Sequence, residues 1–275
     1  MSETATARED EAVAVEATSE AVGGVEPFFE DDFEGFAVGQ EPSGGSNGFS
    51  WGGSHDGTYV SDSESFTGTR SLRCEYGPTN PNTGNPDHWW AEQRFNLGQN
   101  LTELWIEYYL RLPENYHHRN HPTQANNNKF FVLWADSYST SDNFQCAIEV
   151  NRVSYTQSSA RLMTRDVDGR LSTSDGFSAS DLLNLTWGGE WKRVRIHLRM
   201  ASGPTAEDGV FEGWMDDDLA WRSDPEFIIH TIGANNYIRN GYLMGYDNSH
   251  YDEAVAFYID NFKIWDEDPE WAGST

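Results

Sequence analysis

Three histidines, His117, His118 and His121, crowd into one loop, NYHHRNHPTQANNN, between two stretches of large alternating side chains. Residue types near that loop suit β-elimination from a uronate-containing glycan. The reaction needs a base for the proton beside the carboxyl group, an acid for the leaving oxygen, and a group that neutralises the carboxylate. His117, His118 or His121 fits the base, Tyr108 or Tyr109 the acid, and Asn126, Asn127, Asn128 or Arg94 the neutraliser. One feature weighs against a shared site. His117 and His118 are direct neighbours, and neighbours on an extended chain point to opposite sides. Loop hydrogen bonding or contact with a partner accounts for such a loop without any chemistry.

The elements that must position these groups are strands. In Leu104–Leu112, Leu104, Ile106, Tyr108, Leu110 and Leu112 fall on one side, and Trp105, Glu107, Tyr109 and Arg111 on the other. In Lys129–Trp134, Phe130, Val132 and Trp134 oppose Lys129, Phe131 and Leu133. This is the two-residue period of a β-strand. The same reading gives strands over Ser71–Tyr76, Trp89–Phe95, Gln145–Asn151, Ala160–Thr164, Lys192–Met200, Val210–Met215, Gly241–Tyr246 and Ala256–Trp265. Turn residues separate them, as in an all-β sandwich or barrel. Helical periodicity is nearly absent; Ala179–Leu185 could form one or two turns. No repeat or internal linker divides the chain.

Some strands carry a polar second face. Val194, Ile196 and Leu198 point to a core, while Arg193, Arg195, His197 and Arg199 line the other side. Glu92 and Arg94 share a face with Trp90. Cross-strand ion pairs on a solvated outer sheet explain such faces. A concave sheet that grips a polysaccharide explains them too, and an arginine stripe suits uronate or sulfate groups. Among the eleven tryptophans most belong to a core, and Trp89 and Trp105 are candidates for a sugar-stacking platform. The glycan-binding candidates are therefore Trp89, Trp105, Glu92, Arg94, Arg195 and His197.

Composition narrows the classes. With 18 basic and 45 acidic residues the net charge is −27, which excludes a nucleic-acid partner that needs a basic surface. Lys129, Lys192 and Lys263 are the only lysines. Strong acidity, few lysines and abundant aromatics point to work in concentrated salt, where screening suppresses self-repulsion. Cys74 and Cys146 permit at most one disulfide, and each falls in a strand, where a small buried thiol is expected. No apolar run is long enough to span a membrane. The N-terminal region has no basic segment followed by an apolar core, so no export signal is expected. Residues 1–27 are acidic and, before the phenylalanines at 28 and 29, lack aromatics, so they read as an arm without a core of its own, disordered or docked on a partner. Residues 28–268 form the folded domain and 269–275 a tail.

Several segments, in order, resemble the concanavalin A-like lectin and glucanase jelly rolls, in particular their polysaccharide-lyase-like branch. They are GTRSLRCEY, WAEQRFNL, LWIEYYLRLPENY, NNKFFVLWADSY, EWKRVRIHLRM, DGVFEGWMDDDLAW and YIDNFKIWD, and they span most of residues 28–266. The version with EQRF, LRLP and NNKFF is most similar to jelly rolls among structural proteins of tailed viruses. The resemblance implies a two-sheet antiparallel sandwich bent into a groove, a fold that hosts lyases, glycosidases and lectins alike. Lyase relatives carry Arg-x-Glu-x-Arg on a groove strand. Here AEQRF keeps Glu92 and Arg94 but has Trp90 in place of the first arginine. The Glu-x-Asp-x-x-Glu motif of related glucanases is not found. The fold also implies a structural calcium ion near the paired first and last strands, where Asp31, Asp32 and Asp260 offer hard oxygen ligands. The leading expectation is a non-enzymatic virion protein of a virus infecting a halophile. It would be a homo-oligomeric capsid or tail decoration or host-attachment module on the virion surface, its arm docked on other virion proteins and its ligand a cell-surface glycan. The alternative is an extracellular polysaccharide lyase that cleaves uronate-containing glycans.

Overall fold

A computed structural model describes residues 25–78, 89–116, 127–135, 145–152, 158–165, 171–173, 188–222, 236–247, 251 and 253–271. Within them the chain forms strands alone. In order these are β1 (Phe29–Asp31), β2 (Ser50–Asp56), β3 (Thr58–Ser61), β4 (Ser71–Tyr76), β5 (Trp89–Leu101), β6 (Glu103–Arg111), β7 (Asn127–Trp134) and β8 (Gln145–Arg152). There follow β9 (Ser158–Arg165), β10 (Leu171–Thr173), β11 (Trp191–Arg199), β12 (Val210–Met215), β13 (Asp218–Arg222), β14 (Ile238–Asp247) and β15 (Val255–Trp265). The possible helical turns at 179–185 lie outside the described residues.

The strands make two antiparallel sheets. The first runs β13-β12-β11-β6-β15-β4-β3, with β1 added along β15; the second runs β10-β9-β8-β7-β14-β5-β2. Alternation explains the sandwich. Ile106 and Tyr108 of β6, Val194 and Ile196 of β11 and Phe257 and Ile259 of β15 turn inward from the first sheet. Phe95 of β5, Phe131 and Leu133 of β7 and Leu243 of β14 meet them from the second, in one shared core. Within the second sheet Gly241 of β14 makes room for the ring of its cross-strand partner Phe95 on β5; an added Cβ would stand 2.2 Å from it. Cys74 is buried and unpaired as expected, its thiol pushed up to about 12 by burial. The side chain of Cys146 lies outside the described residues.

The folded body reaches past the boundaries read from sequence. Trp271, inside the expected tail, packs edge-on against Trp214 and Trp265. Val25, inside the expected arm, accepts a 3.1 Å hydrogen bond on its carbonyl from the Trp265 indole. Both contacts lie on the outward face of the first sheet.

Candidate functional site

The two outward faces of the sandwich differ in chemistry. On the second sheet, Ala91, Phe95 and Leu97 of β5 turn to the core, so Trp90, Glu92, Arg94 and Asn96 turn outward. Strand pairing extends this into cross-strand rows. Asn96 stands opposite Asn240, which stands opposite Trp134. One step along, Arg94 stands opposite Tyr242, then Val132, then Ala147 on β8. Beyond an irregularity in β7, a third row runs Lys129, Glu149, Arg161.

The described side chains of this face hold one another. The Glu92 carboxylate is almost wholly buried and accepts from Trp90 Nε1 at 2.5 Å and from Arg94 Nε, two residues to either side. The Arg94 guanidinium also lies 5.9 Å from the Trp90 ring centre. Asn96 Nδ2 donates to Asn240 Oδ1 at 2.6 Å. Val132, Trp134 and Tyr242 form a small apolar cluster apart from the main core. Trp134 and Tyr242 ring centres are 6.5 Å apart. The Trp134 indole nitrogen is buried and has no hydrogen-bond partner.

The outward face of the first sheet is a closed ion network. Arg195 is 4% exposed, donates to Glu107 at 2.8 Å, meets Asp217 at 3.3 Å and lies 5.2 Å from the Trp271 ring centre. His197 stacks on Trp105 with ring centres 4.7 Å apart, and its nitrogens face Glu103 at 2.8 Å and Glu212 at 3.3 Å. Arg222 adds a 2.6 Å contact to Glu212. Burial pushes the Glu212 carboxyl up, but the hydrogen bonds from His197 and Arg222 outweigh it and hold the group below its ordinary range.

The six expected glycan-binding residues therefore do not form one site. Glu92 and Arg94 belong to the second sheet, whereas Trp105, Arg195 and His197 face away from them on the first and are engaged there. Trp89 opens β5 opposite Asp247; its side chain lies outside the described residues. The proposed acids also leave the set. Tyr108 is buried in the core, and burial raises its phenol further. Tyr109 is on the outward face of the first sheet, stacked on Phe66 with ring centres 3.6 Å apart, its phenol likewise raised chiefly by burial. His117, His118, His121 and Asn126 lie outside the described residues. The backbone of Asn128 is in β7, opposite Val150 and Asp247, on the same sheet as Arg94.

Asp31 ends β1, which pairs β15, the strand that carries Asp260. Asp31 pairs with Phe262, two residues beyond Asp260. Their oxygens are already in use. Asp31 accepts from Phe33 N and Trp51 Nε1, at 2.8 and 2.7 Å. Asp260 is fully buried and accepts from the backbone N–H groups of Phe66, Thr67 and Asn261. Asp32 accepts from Glu34 N. Among the described residues no group of three or more such side chains converges as a metal site. The donor set is a poor fit for calcium. Burial raises the carboxyl of Asp260 to about 6, with nearby Asp32 adding to the effect.

No family model matches the chain, and no curated protein resembles it by sequence. Solved structures do resemble it in three dimensions. The alginate lyase Aly36B superposes with a TM-score of 0.57 at 11% identity, covering 88% of this chain and 98% of its own. The alginate lyase vAL-1 from Chlorella virus gives 0.57 at 12%, covering 79% and 93%. The fold is that of the concanavalin A-like jelly rolls. The cellulose-induced protein Cip1 shares it at a TM-score of 0.50 and 13% identity, over 86% of this chain and 97% of Cip1. At such identities the likeness establishes architecture and leaves activity to the residues.

Sequence reasoning missed Trp134 and Tyr242. The signal was present for Trp134, since alternation sets it with Val132 opposite Phe131 and Leu133, but both faces of that strand are apolar. Tyr242 stood between Gly241 and Leu243 on the inward side, and the glycine weakens the alternation.

Proposed function

We propose that the protein is a non-cleaving glycan-binding jelly roll whose outward second-sheet face holds the sugar chain. The observation that carries this reading is the cross-strand array on β5, β14 and β7. It sets an aromatic cluster, an amide pair and a held Arg94–Glu92–Trp90 triplet side by side. Aromatic rings with a few placed polar groups are what sugar recognition uses. In this reading the protein serves as a homo-oligomeric decoration or host-attachment module on the virion of a virus with a halophilic host. Its N-terminal region docks on other virion proteins.

A second reading is a polysaccharide lyase acting on uronates. It is favoured by the alginate lyases among the similar structures, of which Aly36B variants hold alginate tri- and tetrasaccharides. Its proposed acids, Tyr108 and Tyr109, are not on the second-sheet face, which is why it stands second. One experiment separates the two. The full-length protein, in molar salt, is mixed with a panel of polyuronates and neutral glycans, and bound glycan and ultraviolet absorbance from unsaturated product are both followed. Retention without an absorbance rise is the expected result. A rise on any polyuronate would replace the first reading with the second.

A further inference from the structure

We infer that the indole N–H of Trp134 is a ligand donor, completing its hydrogen bond on an oxygen of the bound glycan. This rests on the second-sheet face being the glycan face. Among the described residues three buried side-chain polar atoms lack a partner: Thr58 Oγ1, Trp221 Nε1 and Trp134 Nε1. The first two are interior. Thr58 stands opposite Cys74 in the first sheet, and Trp221 is part of the main core, its ring pressed against Gly213. Trp134 is different. It sits outside the main core, in the cluster with Val132 and Tyr242, in the same row as Asn240 and Asn96.

A buried donor left unpaired is costly, and native chains retain few of them without a reason. At 3% exposure Trp134 offers no open ring face for stacking, so its remaining capacity toward a ligand is the N–H. Its row supplies complementary groups. The amide of Asn240 stands one strand across and that of Asn96 two, and an uncharged donor beside amides suits a hydroxyl, ring or carboxylate oxygen of a sugar. The N–H is buried as well, so a sugar reaches it as neighbouring side chains of the face change rotamer, a common adjustment on binding.

Trp134→Phe keeps a ring and removes the donor, and Trp221→Phe does the same to an interior donor. Wild type and both variants are titrated calorimetrically with an oligouronate and an oligoglucoside, and melted in parallel. Trp134→Phe should weaken binding about five- to tenfold, the size of one neutral hydrogen bond, at a temperature where the melts show the variant folded. Trp221→Phe should leave affinity unchanged. In ¹⁵N-indole spectra, the resonance lost in Trp134→Phe should move on adding the bound sugar to wild type. Unchanged affinity in Trp134→Phe while wild type binds would overturn the inference and leave the glycan face standing. A fall in melting temperature with unchanged affinity would do the same, marking the indole as a packing residue. Failure of wild type to bind any sugar would remove the glycan face and this inference together.

Discussion

The outward faces of the two sheets solve opposite problems with similar residues. On the first, every strand from β13 to β6 contributes to a closed network: Arg195 with Glu107 and Asp217, His197 between Glu103 and Glu212, Arg222 on Glu212. Tryptophans lie over it. On the second, polar groups are set in rows of amides and aromatics, and one donor has nothing to bind. A face whose charges are mutually satisfied stabilises a sheet. A face with unspent donors is equipped for something that is not part of the chain.

The comparison is broken most forcefully at Arg195. Arg195→Ala leaves Glu107 without its close partner in a largely buried position, and a loss of about 3–5 kcal/mol is expected from removing one half of such a pair. Denaturant unfolding would measure it. Glycan affinity should hold in the fraction that remains folded, and a parallel loss of affinity would mean the two faces are not independent.

Asp260 is next. Its folded value of about 6 lies above the ordinary 3.8, so the folded protein binds this proton more tightly than the unfolded chain does. The resulting stabilisation is present in full below about pH 4 and is lost as pH rises through 6. It is about 3 kcal/mol on the scale of 1.36 kcal/mol per unit. Melting across that window should show the decline, and Asp260→Asn should flatten that part of the profile. A stability that instead climbs from pH 4 to 7 with no difference in the variant would remove Asp260 from the account.

The Trp134→Phe titration sharpens the contrast at about 1 kcal/mol of affinity. Smallest of all is the effect of calcium. Since Asp31 and Asp260 already spend their oxygens on N–H donors, adding calcium or a chelator should move the melting temperature by less than about 2 °C. A rise that grows with calcium concentration would show linked binding.

Local pattern was enough for most strands and for which side faces the core, except in β7, where an irregularity between Lys129 and Phe131 puts Phe130 in the core with Phe131 and Leu133 and not with Val132 and Trp134. Ser71–Tyr76 and Val210–Met215 match residue for residue, and Arg195 and His197 do oppose Val194, Ile196 and Leu198. The short or glycine-bearing strands escaped: β1 has three residues, and β2 reads SWGGSHD, with little for a period to act on. What alternation cannot carry is which sheet a strand joins. β5 and β6 are consecutive and nearly contiguous, yet they lie in different sheets, while β6 pairs with β11 across the 79 residues between Arg111 and Trp191. That is why Arg94 and Arg195, both on outward faces, looked like one site and are on opposite sides of the molecule. The orphan donor of Trp134 was illegible for a related reason, because whether a group is paired depends on neighbours that sequence distance does not reveal.

The clasp of Val25 and Trp271 on the first sheet has a consequence for how the molecule can be held. Val25 and Trp271, the first and last described residues, lie on one flank, so the described sandwich has a rear and a front. A linkage made at Val25 or Trp271 grips the rear. The second sheet is then turned to the medium, as a palm is when the arm is gripped at the back of the hand.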